Sequence, residues 1–212
     1  VLLLIVAAPK KVVERVQTTV ELVGLNPESV ENELSCTGRF ISNFNKNIIN
    51  QYKINQTQGL IIANFDTNST SLSYFSPQEL IVKEVHHLSI GYQLFLKETQ
   101  VNTDTDIKKS EEMLKNYDKN NPSSYSLEKI VQPLVKEFST ELKLFISKYN
   151  PATVLFTNKI FLYPSLVTNL TEELGLPINI FEPSLLLKKS QLTETYKNEL
   201  SIFIPGIGGN MR

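Results

Sequence analysis

The sequence predicts an α/β domain of layered sheet and helices, and two observations carry that prediction. From Gly59 onward, short runs rich in β-branched and aromatic residues alternate with longer stretches of helical periodicity, in the order strands, helices, strand, helix, strand, helix. Apolar residues make up 41% of the chain, enough to bury a real core and to exclude a disordered chain. The 212 residues suffice for one large domain or two small ones. The 21 basic and 22 acidic residues nearly cancel, which argues against a general nucleic-acid binder. The single cysteine, Cys36, permits no intrachain disulfide. With only two histidines beside it, a structural zinc site is not expected either. Cys36 reads as a small buried apolar residue.

The elements follow in order. Val1 to Ala8 is apolar and bounded by Pro9, and reads as a fully buried strand. At about eight residues it is too short to span a bilayer, and it lacks the basic region of a signal peptide. A buried strand with no lead-in suggests a start within a longer protein. Lys10 to Val23 reads as an amphipathic helix, with Val12, Val13, Val16, Val20 and Val23 at helical spacing and Gly24 as its stop. Val12, Val16 and Val20 are expected in the core. Val30 to Asn43 is a weaker helical stretch, and the Asn-rich Ile48 to Gln58 reads as a connector.

Gly59 to Phe65 is a second buried strand. Thr67-Asn68-Ser69 has turn chemistry, Ser71 to Phe75 alternates like a half-buried strand, and Ser76-Pro77-Gln78 turns again before a strand over Leu80 to Leu88. Together these make a three-stranded meander. A helix is expected after Gly91, and a charged one over Thr105 to Tyr117. A long helix then runs from a cap at Ser126 to Tyr149, with Ile130, Leu134, Phe138, Leu142, Phe145 and Ile146 on its apolar face and Pro133 near its start. Thr153 to Thr157 is a fourth strand, Tyr163 to Leu174 a helix closed by Gly175, Pro177 to Phe181 a fifth strand, and Leu200 to Arg212 a final helix.

Several stretches, taken in order, resemble the PilM-type proteins of type IV pilus assembly, members of the actin-like ATPase superfamily together with the FtsA group. Leu4-Ile-Val-Ala-Ala-Pro-Lys-Lys followed by Gly24-Leu-Asn-Pro resembles the end of that family's inserted subdomain. Leu60-Ile-Ile-Ala-Asn-Phe-Asp-Thr-Asn-Ser-Thr-Ser-Leu-Ser-Tyr-Phe resembles its second phosphate-binding hairpin, and Leu88-Ser-Ile-Gly91 the end of its third strand. Thr153 to Leu166 resembles the adenosine strand and turn, Leu174-Gly-Leu-Pro-Ile with Pro183 the next turn and strand, and Ile207-Gly208 before Arg212 the closing segment. The resemblance implies an actin-like (ribonuclease H-like) second domain, a mixed sheet flanked by helices, plus a remnant of the inserted subdomain. Residues 1–28 would be that remnant, 29–58 a connecting helix and linker, and 59–212 the domain itself. The domain would carry a helical insertion at about 100–126 and a C-terminal helix returning to the first domain.

The same resemblance places a nucleotide site. The family's phosphate hairpin reads Asp-x-Gly-x-x-Thr. This chain offers either Asn64-Phe65-Asp66, or Asp66-Thr67-Asn68 with Ser71 in the Thr place. Asn tolerates the left-handed turn that Gly normally supplies, so both registers stand. Gly91-Tyr92 replaces Gly-Gly. Thr157-Asn158-Lys159-Ile160 replaces the adenosine turn Ser-Gly-Gly-Gly, and Lys159 and Ile160 are expected to crowd a base and ribose. The implied nucleotide-site positions are therefore Asn64, Asp66, Asn68, Ser71, Gly91, Thr157 and Asn158, a degenerate set. This favours a fold kept for interaction over hydrolysis, with no cofactor expected, no catalytic residue and no metal ligand. ATP with magnesium remains the alternative ligand.

His86 and His87 are adjacent on a strand and point to opposite faces, so they cannot chelate together; one is expected exposed and the other packed. The resemblance implies a cytoplasmic scaffold at the inner face of the cytoplasmic membrane. It would bind the N-terminal cytoplasmic tail of a PilN-type bitopic membrane protein, with homo-oligomers left open. The alternatives are an actin-like ATPase and an FtsA-type filament protein of cell division.

Overall fold

The computed structural model describes residues 7–55, 57–77, 79–121 and 124–211. The strand expected over residues 1–8 lies almost wholly outside them. A five-stranded sheet forms the centre, in the order β3-β2-β1-β4-β5. Its strands are β1 (Leu60–Phe65), β2 (Thr70–Phe75), β3 (Val82–Leu88), β4 (Thr153–Asn158) and β5 (Ile178–Ile180). The meander β1-β2-β3 is antiparallel, as its short turns require. β4 returns parallel to β1 and β5 parallel to β4, which needs the long helical crossovers found there.

Side-chain alternation divides the sheet into two faces. On the first, Ile61, Ala63, Phe65, Leu72, Tyr74, Val154 and Phe156 pack beneath α4 (Tyr92–Thr103), α5 (Ile107–Lys115), α6 (Tyr125–Tyr149) and α7 (Ser165–Leu174). On the second, Leu60, Ile62, Phe75 and Leu155 meet α2 (Glu33–Asn43), α3 (Asn45–Gln51) and α9 (Ile204–Gly209) through Phe40, Ile41, Ile48 and Ile204. The chain is thus three layers, helices on both faces of a mixed sheet.

Local chemistry explains four of the helix ends. Asn32 caps α2 by accepting from the Ser35 amide at 2.8 Å, and Asp106 caps α5 by accepting from the Lys109 amide at 2.8 Å. Gly175 ends α7 at φ 62°, and Asn150 ends α6 in the same left-handed region.

Several expectations are corrected. The Asn-rich connector contains helix α3, held by Ile48, which is fully buried; tertiary burial there outweighs a weak helical sequence. Helix α6 begins at Tyr125, so Ser126 lies inside it and does not cap it; the preceding Ser124 makes no side-chain cap bond. Pro133 falls more than two turns in, on the exposed side. The buried seam of α6 is Leu127, Val131, Val135, Phe138, Leu142 and Phe145, while Ile130, Leu134 and Ile146 flank it half-buried. The last helix is split into a 3-10 turn over Leu200–Phe203 and α9, with Pro205 in the first turn of α9.

Helix α1 (Lys10–Leu22) forms as its periodicity predicts, but it buries no residue, and Val12 and Val16 are 52% and 51% exposed. Its valine stripe faces no core within the described residues. Among those residues, no helix is long and apolar enough to cross a membrane.

Candidate functional site

The second face of the sheet is apolar only where α2, α3 and α9 cover it. Toward the C-terminal ends of β1 and β4 the same face turns polar. The pairing register aligns Thr157 of β4 with Asn64 of β1, Asn64 with Ser71 of β2, and Ser71 with His87 of β3. These residues form a continuous polar row across four strands. Ser73 and Val85 pair in the adjoining row. Above them opens a cavity of about 450 Å³, walled by the N-terminus of α2 with Asn32 and Glu33, and by Ser201, Ile202 and Ile204.

Four of the positions expected from sequence line this cavity together: Asn64, Ser71, Thr157 and Asn158. Asp66, Asn68 and Gly91 do not line it; they form the turn beside it. The hairpin loop closes through the Asp66 amide donating to the Ser69 carbonyl at 3.0 Å. Helix α4 docks its first amides there, Tyr92 N–H on the Asp66 carbonyl and Gln93 N–H on the Thr67 carbonyl. Gly91 sits so close that a Cβ would stand 2.6 Å from the Asn68 carbonyl carbon and 2.7 Å from the Asp66 carbonyl oxygen. Its missing side chain makes room for the protein's own turn.

Asn158 ends β4 at φ 65°, ψ −128°, a conformation that glycine adopts without penalty and other residues rarely do. It is held there by the Ser201 hydroxyl, which accepts from the Asn158 amide at 3.1 Å. The chain then winds into a 3-10 turn that carries Ile160 into the core under the opposite helices. Ile160 is fully buried there and Lys159 lies outside the cavity lining, so neither side chain crowds this cavity. Asn158→Gly is expected to raise stability by about 1–2 kcal/mol through release of backbone strain, and Asn158→Val to lower it. Urea unfolding of both variants checks this; equal stability would mean that the turn relaxes without cost.

His86 and His87 do point to opposite faces, His86 stacking on Phe145 at 5.9 Å and His87 turning into the cavity. Both are exposed, rather than one packed, because β3 is an edge strand.

The electrostatics of the cavity are one-sided. Glu33 at its mouth is held above the usual carboxylate range. Partial withdrawal of its carboxyl from water is the main cause, the neighbouring Asp66 carboxylate adds repulsion, and the Asn64 amide, donating to Glu33 Oε1 at 2.6 Å, works the other way. Among the described residues, no lysine or arginine lines the cavity. Phosphate oxygens brought here would meet Glu33 and, among the described residues, no lysine or arginine, and the first amides of α4 are already spent on the hairpin turn. This donor set does not fit a triphosphate.

Sequence reasoning missed Glu33, Ser73, His87 and Ser201 as members of this site. The signal for Ser73 was present: the alternation of Ser71-Leu72-Ser73 puts Ser73 on the same strand face as Ser71. Nothing local announces that α2 and the Leu200–Phe203 turn roof it.

No protein-family model matches this sequence, and no curated protein matches it. Solved structures do match its fold. One is the PilM-PilN type IV pilus biogenesis complex, with a TM-score of 0.72, 15% identity, and 92% of this chain covered against 56% of the other. A second is the ethanolamine utilization protein EutJ from Carboxydothermus hydrogenoformans, with a TM-score of 0.61, 10% identity, and coverage of 95% and 61%. A third is MreB 5 of Spiroplasma citri bound to AMPPNP, with a TM-score of 0.58, 12% identity, and coverage of 97% and 65%. The chain thus spans somewhat more than half the length of each of these structures. Their common architecture agrees with the sheet order and the two helical layers found here: this chain has the actin-like ATPase fold, over part of that fold's length.

Proposed function

We propose that the protein is an actin-like scaffold of type IV pilus assembly or a related secretion or competence system, working at the inner face of the cytoplasmic membrane. It binds the cytoplasmic tail of a bitopic membrane partner of the PilN type. The observation that supports this reading best is the likeness to the PilM-PilN structure across 92% of the chain. The exposed valine stripe of α1 is in keeping with it, since such a stripe normally meets another surface. No nucleotide turnover is part of the role: among the described residues, the cavity beside the phosphate-type hairpin is lined by no lysine or arginine, and it presents Glu33.

The reading predicts co-purification of the natural protein with its membrane partner, abolished when the first cytoplasmic residues of that partner are deleted. Retained co-purification after the deletion would sink it. Calorimetry of the same protein with Mg·ATP is expected to show no binding heat up to millimolar nucleotide. Micromolar binding would instead favour an actin-like ATPase or an FtsA-type filament protein.

A further inference from the structure

The cavity holds more hydrogen-bonding capacity than the protein itself uses. Ser73 and Thr157 are only 6% and 4% exposed and line it, yet among the described residues neither hydroxyl has a hydrogen-bond partner. Their side chains are packed on the floor while the hydroxyls stay open to the cavity, free to donate to or accept from an occupant. Ser71 lies between Asn64 and His87 in the polar row, and Asn64 ties that row to Glu33. Glu33 makes no ion pair among the described residues. Its side-chain partner there is the neutral Asn64 amide, which leaves the carboxylate able to take a charge-assisted bond from a cation.

We propose that this cavity is a binding site for a guanidinium group, the side chain of arginine or a free guanidino compound. The chemistry matches on three counts. A guanidinium carries five N–H donors and no acceptor, and the cavity offers the carboxylate of Glu33 and the oxygens of Ser73 and Thr157. The group remains charged at all physiological pH values, and among the described residues the lining contains no competing lysine or arginine. Its methylene stem requires an apolar wall beside the polar floor, and Val85 and Ile202 provide one. The flat fork spans several acceptors in one plane, which a compact ammonium cannot do.

The test is a titration of the full chain, followed by calorimetry and amide NMR shifts, with N-acetyl-arginine methylamide. The neutral isostere N-acetyl-citrulline methylamide serves as control. The arginine compound is expected to bind at least about tenfold more tightly than the citrulline one, with the largest shifts at Asn64, Ser73 and Thr157. Glu33→Gln should abolish that preference, and Thr157→Val should weaken binding severalfold, with melting temperatures near that of the parent. Agmatine and an arginine-containing pentapeptide distinguish the sources: tighter binding of either identifies a small molecule or a polypeptide as the carrier, and both outcomes uphold guanidinium recognition. Equal binding of arginine and citrulline compounds, or no binding at millimolar concentration, overturns the proposal. The comparison on the unmodified protein stands even where a variant fails to fold.

Discussion

Replacement of Gly208 by alanine is expected to lower the melting temperature by about 5–10 °C, roughly what a cost of 2–3 kcal/mol produces in a chain of this size. The cause is backbone contact. Helix α9 lies against α2 at Gly208, where a Cβ would fall on the Cys36 carbonyl oxygen, 2.8 Å from the Cys36 carbonyl carbon and 3.3 Å from the Phe40 Cβ. Backbone atoms inside a helix cannot swing aside as a flexible side chain can. The same interface receives Arg39, whose Nη1 donates to the Gly208 carbonyl at 3.0 Å, so a displaced α9 also loses that bond. Neighbouring glycines supply the control. Gly206 has nothing within 4 Å of a built Cβ, and Gly209 meets only the Cys36 Sγ at 3.6 Å. Gly206→Ala is therefore expected to be neutral or stabilising by up to about 1 kcal/mol, through helix propensity alone. If thermal unfolding ranks the alanine variants at 206 and 208 as equals, α9 does not dock on α2 as described.

Phe65→Ala is expected to cost about 3–5 kcal/mol, measurable as a lower urea midpoint with little change in slope. Phe65 is the last residue of β1 and fully buried. Its ring contacts Phe95 of α4 at 6.0 Å, Phe138 of α6 at 6.1 Å and Phe156 of β4 at 6.4 Å between centroids. Helices closing one face of the sheet thus meet on a single side chain, and truncation leaves a cavity bounded by rigid rings. Phe65→Leu keeps most of the volume and is expected to cost less than half as much. A Phe65→Ala protein of unchanged midpoint would show that the α4 and α6 helices are not seated through this ring. Phe65 also precedes the Asp66–Ser69 turn directly, so loss of its anchoring should loosen the hairpin beside the cavity, and amide exchange at residues 66–69 should quicken.

The candidate site lies at a place where two physical demands meet. A strand face must be apolar where helices cover it and can be polar where they do not. In this chain the polar row Thr157–Asn64–Ser71–His87 begins where α9 ends its apolar cover. It is nonetheless roofed, by the N-terminus of α2 and the Leu200–Phe203 turn. The result is neither core nor open surface, but a recess with polar floor and apolar flank.

The sequence by itself determined which segments become strands and helices and how they follow one another. Leu60-Ile-Ile-Ala has the composition of a buried strand, the alternation of Ser71 to Phe75 that of a strand with two unlike faces, and Gly175 a helix stop; each is a local property of residue type and period. The order of these elements sufficed for an α/β layer arrangement, and the resemblance of several stretches to a known family implied the actin-like fold. Tertiary structure alone decided what covers each face. The seam of α6 runs through Val131 and Val135 rather than Ile130 and Leu134 because the angle at which α6 crosses the sheet selects the buried stripe, and periodicity permits either. Ile48 makes a helix of an Asn-rich stretch because a core partner waits for it. Ser73 and Thr157 face a partly roofed recess rather than an open surface because Glu33 and Ser201, distant in sequence, come to lie beside them. A polar residue on an alternating strand announces a polar face. Whether that face meets solvent or a ligand depends on chain segments that only folding brings near.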